Sequence, residues 1–482
     1  MTTNTTENTT ESLEQYGFLF ASHADLAKFR KYIFAFKKYS LLNLSGKTVI
    51  VSSRTDEAVG FKYEFSSTKD FHEFHRESYF HVVIEHREVK KYFSFVWLEQ
   101  PAFRKRFEYA TFNANPSFNK KDAFNFWTGY IEPKKGDAQP FIDHMHKLLV
   151  GTKEEIDHAI KLLAYTVRYP HIRTDTSIGF RGVQGSGKTT VSMTMQALCP
   201  NHSRIIDSID QIWGFNDHTI HVKYFLMEES VWGGDKAKEG QLKSAITAPT
   251  RHIGIKHVTS TTIPNYAFYI FTSNEDWIFP VDKGDRRFNI FDCTTTLVDD
   301  REYFNTYYTW LHGEGKHHLM HYFLYEIDLE GFDPKAMVVN QAKADVKAQS
   351  LRPVEKFLFN LLNSELSVDE IERQDWSAEI KVPREILFDF FKCNSAFASK
   401  VEIMEFSKTL GKIFSFPTNW ASNWKGSKVK PFYRLPSRAR AQECLARYMK
   451  EKPEHLFADY AANITQAAAV EDFDAFSEKA SV

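Results

Sequence analysis

The chain is poor in cysteine, almost neutral and without a long apolar run. Its four cysteines, Cys199, Cys293, Cys393 and Cys444, lie far apart. No CxxC pair and no mixed Cys/His zinc spacing is present, which argues against a disulfide framework and a structural zinc site. They read as reduced thiols of an intracellular, cytoplasmic protein. Lys+Arg total 61 against 62 Asp+Glu, a net charge of −1. A polyanionic partner would therefore have to be held by local basic surfaces, or by a ring that concentrates them in a channel. No stretch approaches the roughly 20 apolar residues that span a bilayer. The opening Met1-Thr-Thr-Asn-Thr-Thr-Glu7 lacks the basic and apolar parts of a signal peptide. No membrane partner is expected, and the sequons at Asn4 and Asn8 are treated as chance.

With 43% hydrophobic and 15% aromatic residues, most of the chain should be ordered, and its length allows two or three domains. Residues 13–115 read as an α+β domain of unassigned role. Within it His81–Ile84 and Tyr92–Leu98 are apolar like strands. Its basic patches, Arg87–Lys91 and Arg104–Arg106, could touch phosphate or be solvated faces. A helical lead-in follows over 120–170: Phe141, Met145 and Leu148, then Ile156, Ile160 and Leu163, predict two helices that end before Pro170. In the core domain, 171–350, the short apolar runs Ile178–Phe180, Val222–Met227 and Tyr266–Phe271 predict a mostly parallel sheet covered by helices, an α/β fold. A helical segment with an aromatic cluster closes it after residue 300. A third unit, 352–446, opens with a helix whose first position is Pro353 and has a candidate wing near 412–435. The last segment, 447–482, is alanine-rich and acidic and reads as a short helix and loose tail.

Chemistry concentrates in the core domain. Gly182-Val-Gln-Gly-Ser-Gly-Lys188-Thr189 is a complete phosphate-binding loop between a strand-like segment and a helix-like one. Gly182, Gly185 and Gly187 let the backbone wrap an anion, with Ser186 and Thr190 beside it. The amides that open the next helix point at the anion. Lys188 should reach the β and γ phosphates of ATP, and the Thr189 hydroxyl should help hold Mg²⁺. The apolar run Tyr224-Phe-Leu-Met ends in Glu228-Glu229. We assign Glu228 to the metal and Glu229 to the attacking water, against the bland reading of a solvated strand end. Asn274, leaving the run Tyr269-Ile-Phe-Thr-Ser, can sit beside the γ-phosphate and position water, or simply make a turn. Arg286 and Arg287 either form ion pairs within the subunit or stabilise a phosphate bound by a neighbour.

This ordered set resembles the superfamily 3 helicases of viruses, phages and plasmids, especially the helicase part of phage, plasmid and poxvirus-type primase-helicases. The matching residues are Gly182–Thr189, Phe225–Glu229, Phe271–Asn274 and Arg286-Arg287, with Arg287 preferred as the arginine finger. Ala123-Phe-Asn-Phe-Trp-Thr-Gly129 resembles the segment ahead of the core in such phage proteins. Arg251–Thr259 resembles their DNA-facing hairpin, which makes Lys256 and His257 candidate DNA contacts. The resemblance implies an AAA+-like core and a homo-oligomeric ring, expected to be a hexamer, with ATP between subunits. Such a ring would act on single-stranded or forked DNA, with 3′ to 5′ polarity, in the host cytoplasm if phage-encoded. A replication initiator or primase is a possible partner, since no set of primase carboxylates is found here. The third unit resembles the winged-helix region that follows such cores. Its stretch Trp424–Arg440 offers Lys425, Lys428, Lys430 and Arg434 to a DNA backbone, or forms a solvated basic face. Two alternatives stay open: an AAA-like ATPase that remodels a nucleoprotein or regulates defence without unwinding, and an origin-binding protein assembled by ATP.

Overall fold

The computed structural model describes residues 12–56, 60–228, 236–256, 259–275, 284–395, 398–414 and 432–464. The N-terminal unit begins with the short pair β1 (Glu14–Gln15) and β2 (Phe18–Leu19), then α1 (His23–Ala35), whose first turn is capped by Ser22 accepting from the Asp25 amide at 3.1 Å. Strands β3 (Ser40–Leu44), β4 (Lys47–Asp56) and β5 (Gly60–Ser66) lead to α2 (Thr68–Phe74). The hairpin β6 (Tyr79–Ile84) and β7 (Arg87–Tyr92) follows, then α3 (Phe93–Glu99), β8 (Lys105–Phe107), β9 (Tyr109–Thr111) and β10 (Ala123–Asn125). One four-stranded sheet has the order β5-β4-β3-β8.

The expectation of a strand at Tyr92–Leu98 is corrected, because this run is the helix α3. Its buried residues, Phe93, Val96 and Trp97, recur at helical spacing and pack under α1 with Phe29 and Phe36. An apolar run of seven residues carries no period of its own, so the packing partner decides its conformation.

Helices α4 (Gln139–Leu148) and α5 (Lys153–Arg168) form the lead-in. A capping box, in which Thr152 and Glu155 each accept from the other's amide, starts α5. The core domain then runs β11 (Ser177–Arg181), α6 (Lys188–Leu198), β12 (Ser203–Ile206), β13 (Tyr224–Glu228), α7 (Lys236–Thr247), β14 (Thr250–Ile255), β15 (Thr259–Pro264), β16 (Phe268–Ser273) and β17 (Phe288–Asp292). It closes with α8 (Arg301–Trp310), α9 (Lys316–His321) and α10 (Gln341–Gln349). Five strands make one parallel sheet in the order β12-β13-β16-β11-β17.

Both faces of this sheet are covered, which is why its strands are apolar throughout. Ile178, Phe180, Leu226 and Ile270 point to the layer of α4, α5 and α6. Their neighbours Phe225, Met227, Tyr269 and Phe271 point to the other, with Leu242 of α7 and Val346 of α10. The order inserts β16 between the loop strand β11 and the acidic strand β13. Residues at the carboxyl ends of all three therefore face one crevice, where parallel sheets hold their ligands.

The N-terminal unit is not a separate bead. Leu42, Leu44, Val49 and Val51 of its sheet share a core with Phe126 and with Ile253, Ile255 and Ile263 of the antiparallel hairpin β14–β15.

The C-terminal unit comprises α11 (Pro353–Leu362), α12 (Asp369–Glu372), β18 (Ile380–Pro383), α13 (Arg384–Asn394), α14 (Ile403–Phe414), β19 (Phe432–Leu435), α15 (Arg438–Met449) and α16 (Pro453–Leu456). Strands β18 and β19 pair antiparallel beside α13 and α14. Of the segment from 447, the expected short helix is α16, and Met449, Leu456, Phe457 and Tyr460 are buried in the same core as Phe357, Leu361 and Leu445, while residues 465–482 of the expected tail lie outside the described residues. Short apolar residues spaced among charged ones gave no period, yet each fills this core. The candidate wing lies mostly outside the described residues.

Candidate functional site

The loop between β11 and α6 turns on two glycines with left-handed backbone, Gly185 at φ 81° and Gly187 at φ 105°. Gly187 is the residue from which α6 starts. No other residue adopts this conformation at low cost, so the opening amides of α6 depend on it. A cleft of about 320 Å³ lies in front of them. It is lined by Gly185, Gly187, Lys188, Thr189, Thr190 and Asn274, together with Gln184, Thr272, Ser273, Phe304 and Tyr308.

Lys188 is buried, and its ammonium donates to the carbonyls of Gly182 at 2.6 Å and Val183 at 2.7 Å, to Ser186 Oγ at 3.3 Å and to Asn274 Oδ1 at 3.0 Å. These four oxygens are neutral, and an anionic phosphate oxygen would bind the ammonium more strongly than any of them. Glu228 ends β13 directly opposite Thr272 of β16, two residues before Asn274. The loop, the acid and the asparagine therefore converge from three adjacent strands. Gly182 is fixed by close approach: a Cβ there would meet the Cys293 Cβ at 2.9 Å.

This residue set fits a nucleoside triphosphate with Mg²⁺. Helix amides and one buried lysine match phosphate, while one hydroxyl and one carboxylate match a cation that keeps most of its oxygens from water and phosphate. Among the described residues there is no cluster of three or more His, Cys, Asp or Glu able to hold a metal by itself.

Several residues behind the loop escaped the sequence reading. His144 of α4 is fully buried between the loop and α8, with Nε2 3.2 Å from the Gly187 carbonyl and Nδ1 3.0 Å from the Tyr303 hydroxyl. Burial pulls its pKa down to about 4, so it is neutral near pH 7. Its Nε2–H donates to Gly187, and Nδ1 accepts from Tyr303, a tautomer that satisfies both bonds. Tyr308 bonds Thr190 Oγ1 at 3.0 Å, which ties the cleft wall to α6. Arg181, immediately before the loop, pairs with Asp292 at 2.6 Å and Asp345 at 3.2 Å. The aromatic spacing of 303–308 was visible; its pairing with residues far away in the chain was not.

Arg286 and Arg287 stand elsewhere. Strand β17 runs parallel to β11, with Phe288 beside Ser177 and Asp292 beside Arg181. The arginines therefore flank the amino end of the sheet, roughly 20 Å from the loop at about 3.3 Å per residue. Arg287 donates to the buried Asp285 carboxylate at 2.9 Å, and its carbonyl accepts from the Ser177 amide. Arg286 is exposed. Lys256 is exposed at the tip of the β14–β15 hairpin. Arg434 on β19 is exposed too, with Glu379 at 3.7 Å offsetting its charge. Nearby, Arg438 pairs with Asp459 and Arg440 with Glu443, so two cations of this stretch serve the fold. Glu229, His257, Lys425, Lys428 and Lys430 lie outside the described residues.

Residues 180–287 match a family of unknown function, DUF5906. Over 146 residues the chain is 28% identical to the DNA Primase-polymerase of Nitratiruptor phage NrS-1, a stretch that is 29% of this chain and 20% of that protein. The chain thus aligns with only a fifth of that relative's length. The apo structure of the NrS-1 C terminal region superposes with a TM-score of 0.59 at 13% identity, covering 86% of this chain and 100% of that one. Its A form gives 0.57 at 13% identity, covering 86% and 99%. At this identity the likeness is one of fold. No helix among the described residues is long and apolar enough to cross a membrane. The chain is therefore related in part of its sequence to a phage DNA primase-polymerase, and it has a mixed α/β fold similar to the NrS-1 C terminal region.

Proposed function

We propose that this chain is a phage replication protein that hydrolyses ATP to move along and unwind DNA as a homo-oligomeric ring. The observation that carries the reading is the bond of Lys188 to Asn274 in one cleft, with Glu228 ending the neighbouring parallel strand beside Thr272 of the cleft wall. Phosphate binding would use Lys188 and the amides after Gly187. Thr189 and Glu228 would hold Mg²⁺, which when bound neutralises charge on the phosphates. Asn274, through its amide, would orient water for attack, and Glu229 is retained as the proposed base. The sheet order, with β16 between β11 and β13, supports an AAA+-like core.

Arg286 and Arg287 cannot serve the cleft of their own subunit, because they flank the opposite end of the sheet. A role in hydrolysis requires a neighbouring copy. Arg286, exposed, suits that role better than Arg287, which the Asp285 carboxylate already engages. A ring would also gather one Lys256 from each copy into a positive collar on DNA. Primer synthesis is not part of this proposal, although the relative is named for it.

The test is unwinding of a forked duplex by the full chain beside Lys188→Ala and Arg286→Ala. Both variants should lose hydrolysis and unwinding. Mixing inactive Lys188→Ala with inactive Arg286→Ala should restore some turnover, since mixed interfaces pair an intact loop with an intact arginine. Brisk hydrolysis that neither responds to DNA nor unwinds it would favour the AAA-like remodeller instead.

A further inference from the structure

The N-terminal unit carries a second cleft, of about 200 Å³, between α1 and α2. This is smaller than the roughly 300–1,000 Å³ of small-molecule pockets. It has room for one flat ring, with the rest of a ligand outside. Its floor residues Phe36, Tyr39 and His75 pack with one another and with Phe71 behind them, mostly edge to face with centroids 4.5–5.6 Å apart, and His75 Nε2 lies 3.1 Å from the Tyr39 hydroxyl. Phe74 lines the cleft and is 81% exposed, and Phe34, one turn after the lining residue Lys31 on α1, is 75% exposed. Two phenyl rings left this open beside a cleft are apolar surface of the kind that marks an interaction site.

The rings are interleaved with cations. Lys31 and Lys38 line the cleft, Lys37 lies over the Phe34 ring at 5.6 Å and Lys38 over Tyr39 at 5.0 Å. None of the three lysines is in an ion pair among the described residues, whereas Arg76 nearby is matched by Glu73 at 3.2 Å. Alternating ring faces and unmatched ammonium groups complement a polymer that alternates flat bases with phosphates. A duplex would present its phosphates but keep its base faces stacked. We propose that this face of the N-terminal unit binds a single strand of nucleic acid, with one base against Phe74 and backbone phosphates on Lys31, Lys37 and Lys38.

The inference does not rest on ATP hydrolysis, and its test is run without nucleotide. A thymidine oligonucleotide carrying 5-iodouridine is photo-cross-linked to the full chain, and the adducts are mapped by mass spectrometry. Adducts are expected on peptides containing Tyr39 or Phe74 and should be competed by single strands, not by duplex. Phe34→Ala with Phe74→Ala should abolish these adducts and weaken binding at this site by about 5- to 100-fold. DNA-independent ATP turnover should not change. Each of Lys31→Gln, Lys37→Gln and Lys38→Gln should lower the salt slope by about 0.7. Adducts confined to the β14–β15 hairpin or the C-terminal unit would overturn the proposal. So would equal competition by duplex, or stronger competition by an acidic phenylalanine-containing peptide, which would reassign the face to a protein partner. Absence of unwinding would leave the cross-link map unaffected.

Discussion

Alanine at Gly187 should cost far more than alanine at Gly185, although both glycines have positive φ in the same loop. At Gly185, φ is 81° and the nearest atom to a new Cβ is Val298 Cγ1 at 3.9 Å. Only backbone strain opposes that change, about 1–2 kcal/mol. At Gly187 the same strain is joined by contact with His144 Cε1 at 2.9 Å and Phe304 Cζ at 3.3 Å. His144 cannot swing away without breaking its bonds to Gly187 and to Tyr303 of α8. Displacing it adds about 1–3 kcal/mol, the usual cost of an overpacked core. The total for Gly187→Ala is about 2–5 kcal/mol. Equilibrium urea denaturation without nucleotide would read both variants, and His144→Ala on top of Gly187→Ala should recover part of the loss by opening the space. Equal destabilisation by the two glycine variants, or no recovery in the double variant, would refute the packing argument.

Three further outcomes follow from the same contacts. His144, His202 and His221 are buried and held neutral by desolvation, at about 4, 4 and 3. Their folded values lie below the unfolded one near 6.5, so their contribution is fully present above pH 6.5 and lost as pH falls toward 4. Each should cost about 1.4 kcal/mol per pH unit in that window, read as a falling midpoint in denaturation at pH 6.5, 5.5 and 4.5. Lys347 and Glu451 form a buried ion pair between α10 and the C-terminal unit. Lys347→Met should destabilise by about 3–5 kcal/mol, because it strands a carboxylate, and adding Glu451→Gln should return much of this in calorimetry. Asn274→Ala should leave nucleotide binding within a few fold and lower turnover by about 100-fold or more, as loss of one oriented polar group does; an unchanged kcat would remove Asn274 from the chemistry.

The loop motif at 182–189 was legible in the sequence because its pattern is local. Glycines that must turn, a lysine and a hydroxyl stand at fixed offsets between a strand and a helix, and 182–189 bear them all. The hairpin around Lys256 was expected only from the family resemblance of Arg251–Thr259, and β14 and β15 pair there. Tyr92–Leu98 was not legible, since an uninterrupted apolar run suits a strand or a helix equally until Phe29 and Phe36 supply its partner. The sequence reading preferred Arg287 over Arg286, and the proposal made above reverses that preference. The reversal turns on Asp285, whose full burial beside Arg287 depends on the surrounding fold.

From residue order alone came the α/β class, the loop, the acidic strand end and the asparagine, because each is a pattern within ten or so neighbours. The tertiary structure alone decided that these patterns meet. Inserting β16 between β11 and β13 brings 182–189, 228 and 274 to one crevice. It also set His144 behind Gly187, turned Met449, Leu456, Phe457 and Tyr460 inward and left Phe34 and Phe74 bare. Strand order and packing depend on contacts between residues distant in the chain, and no local period encodes them.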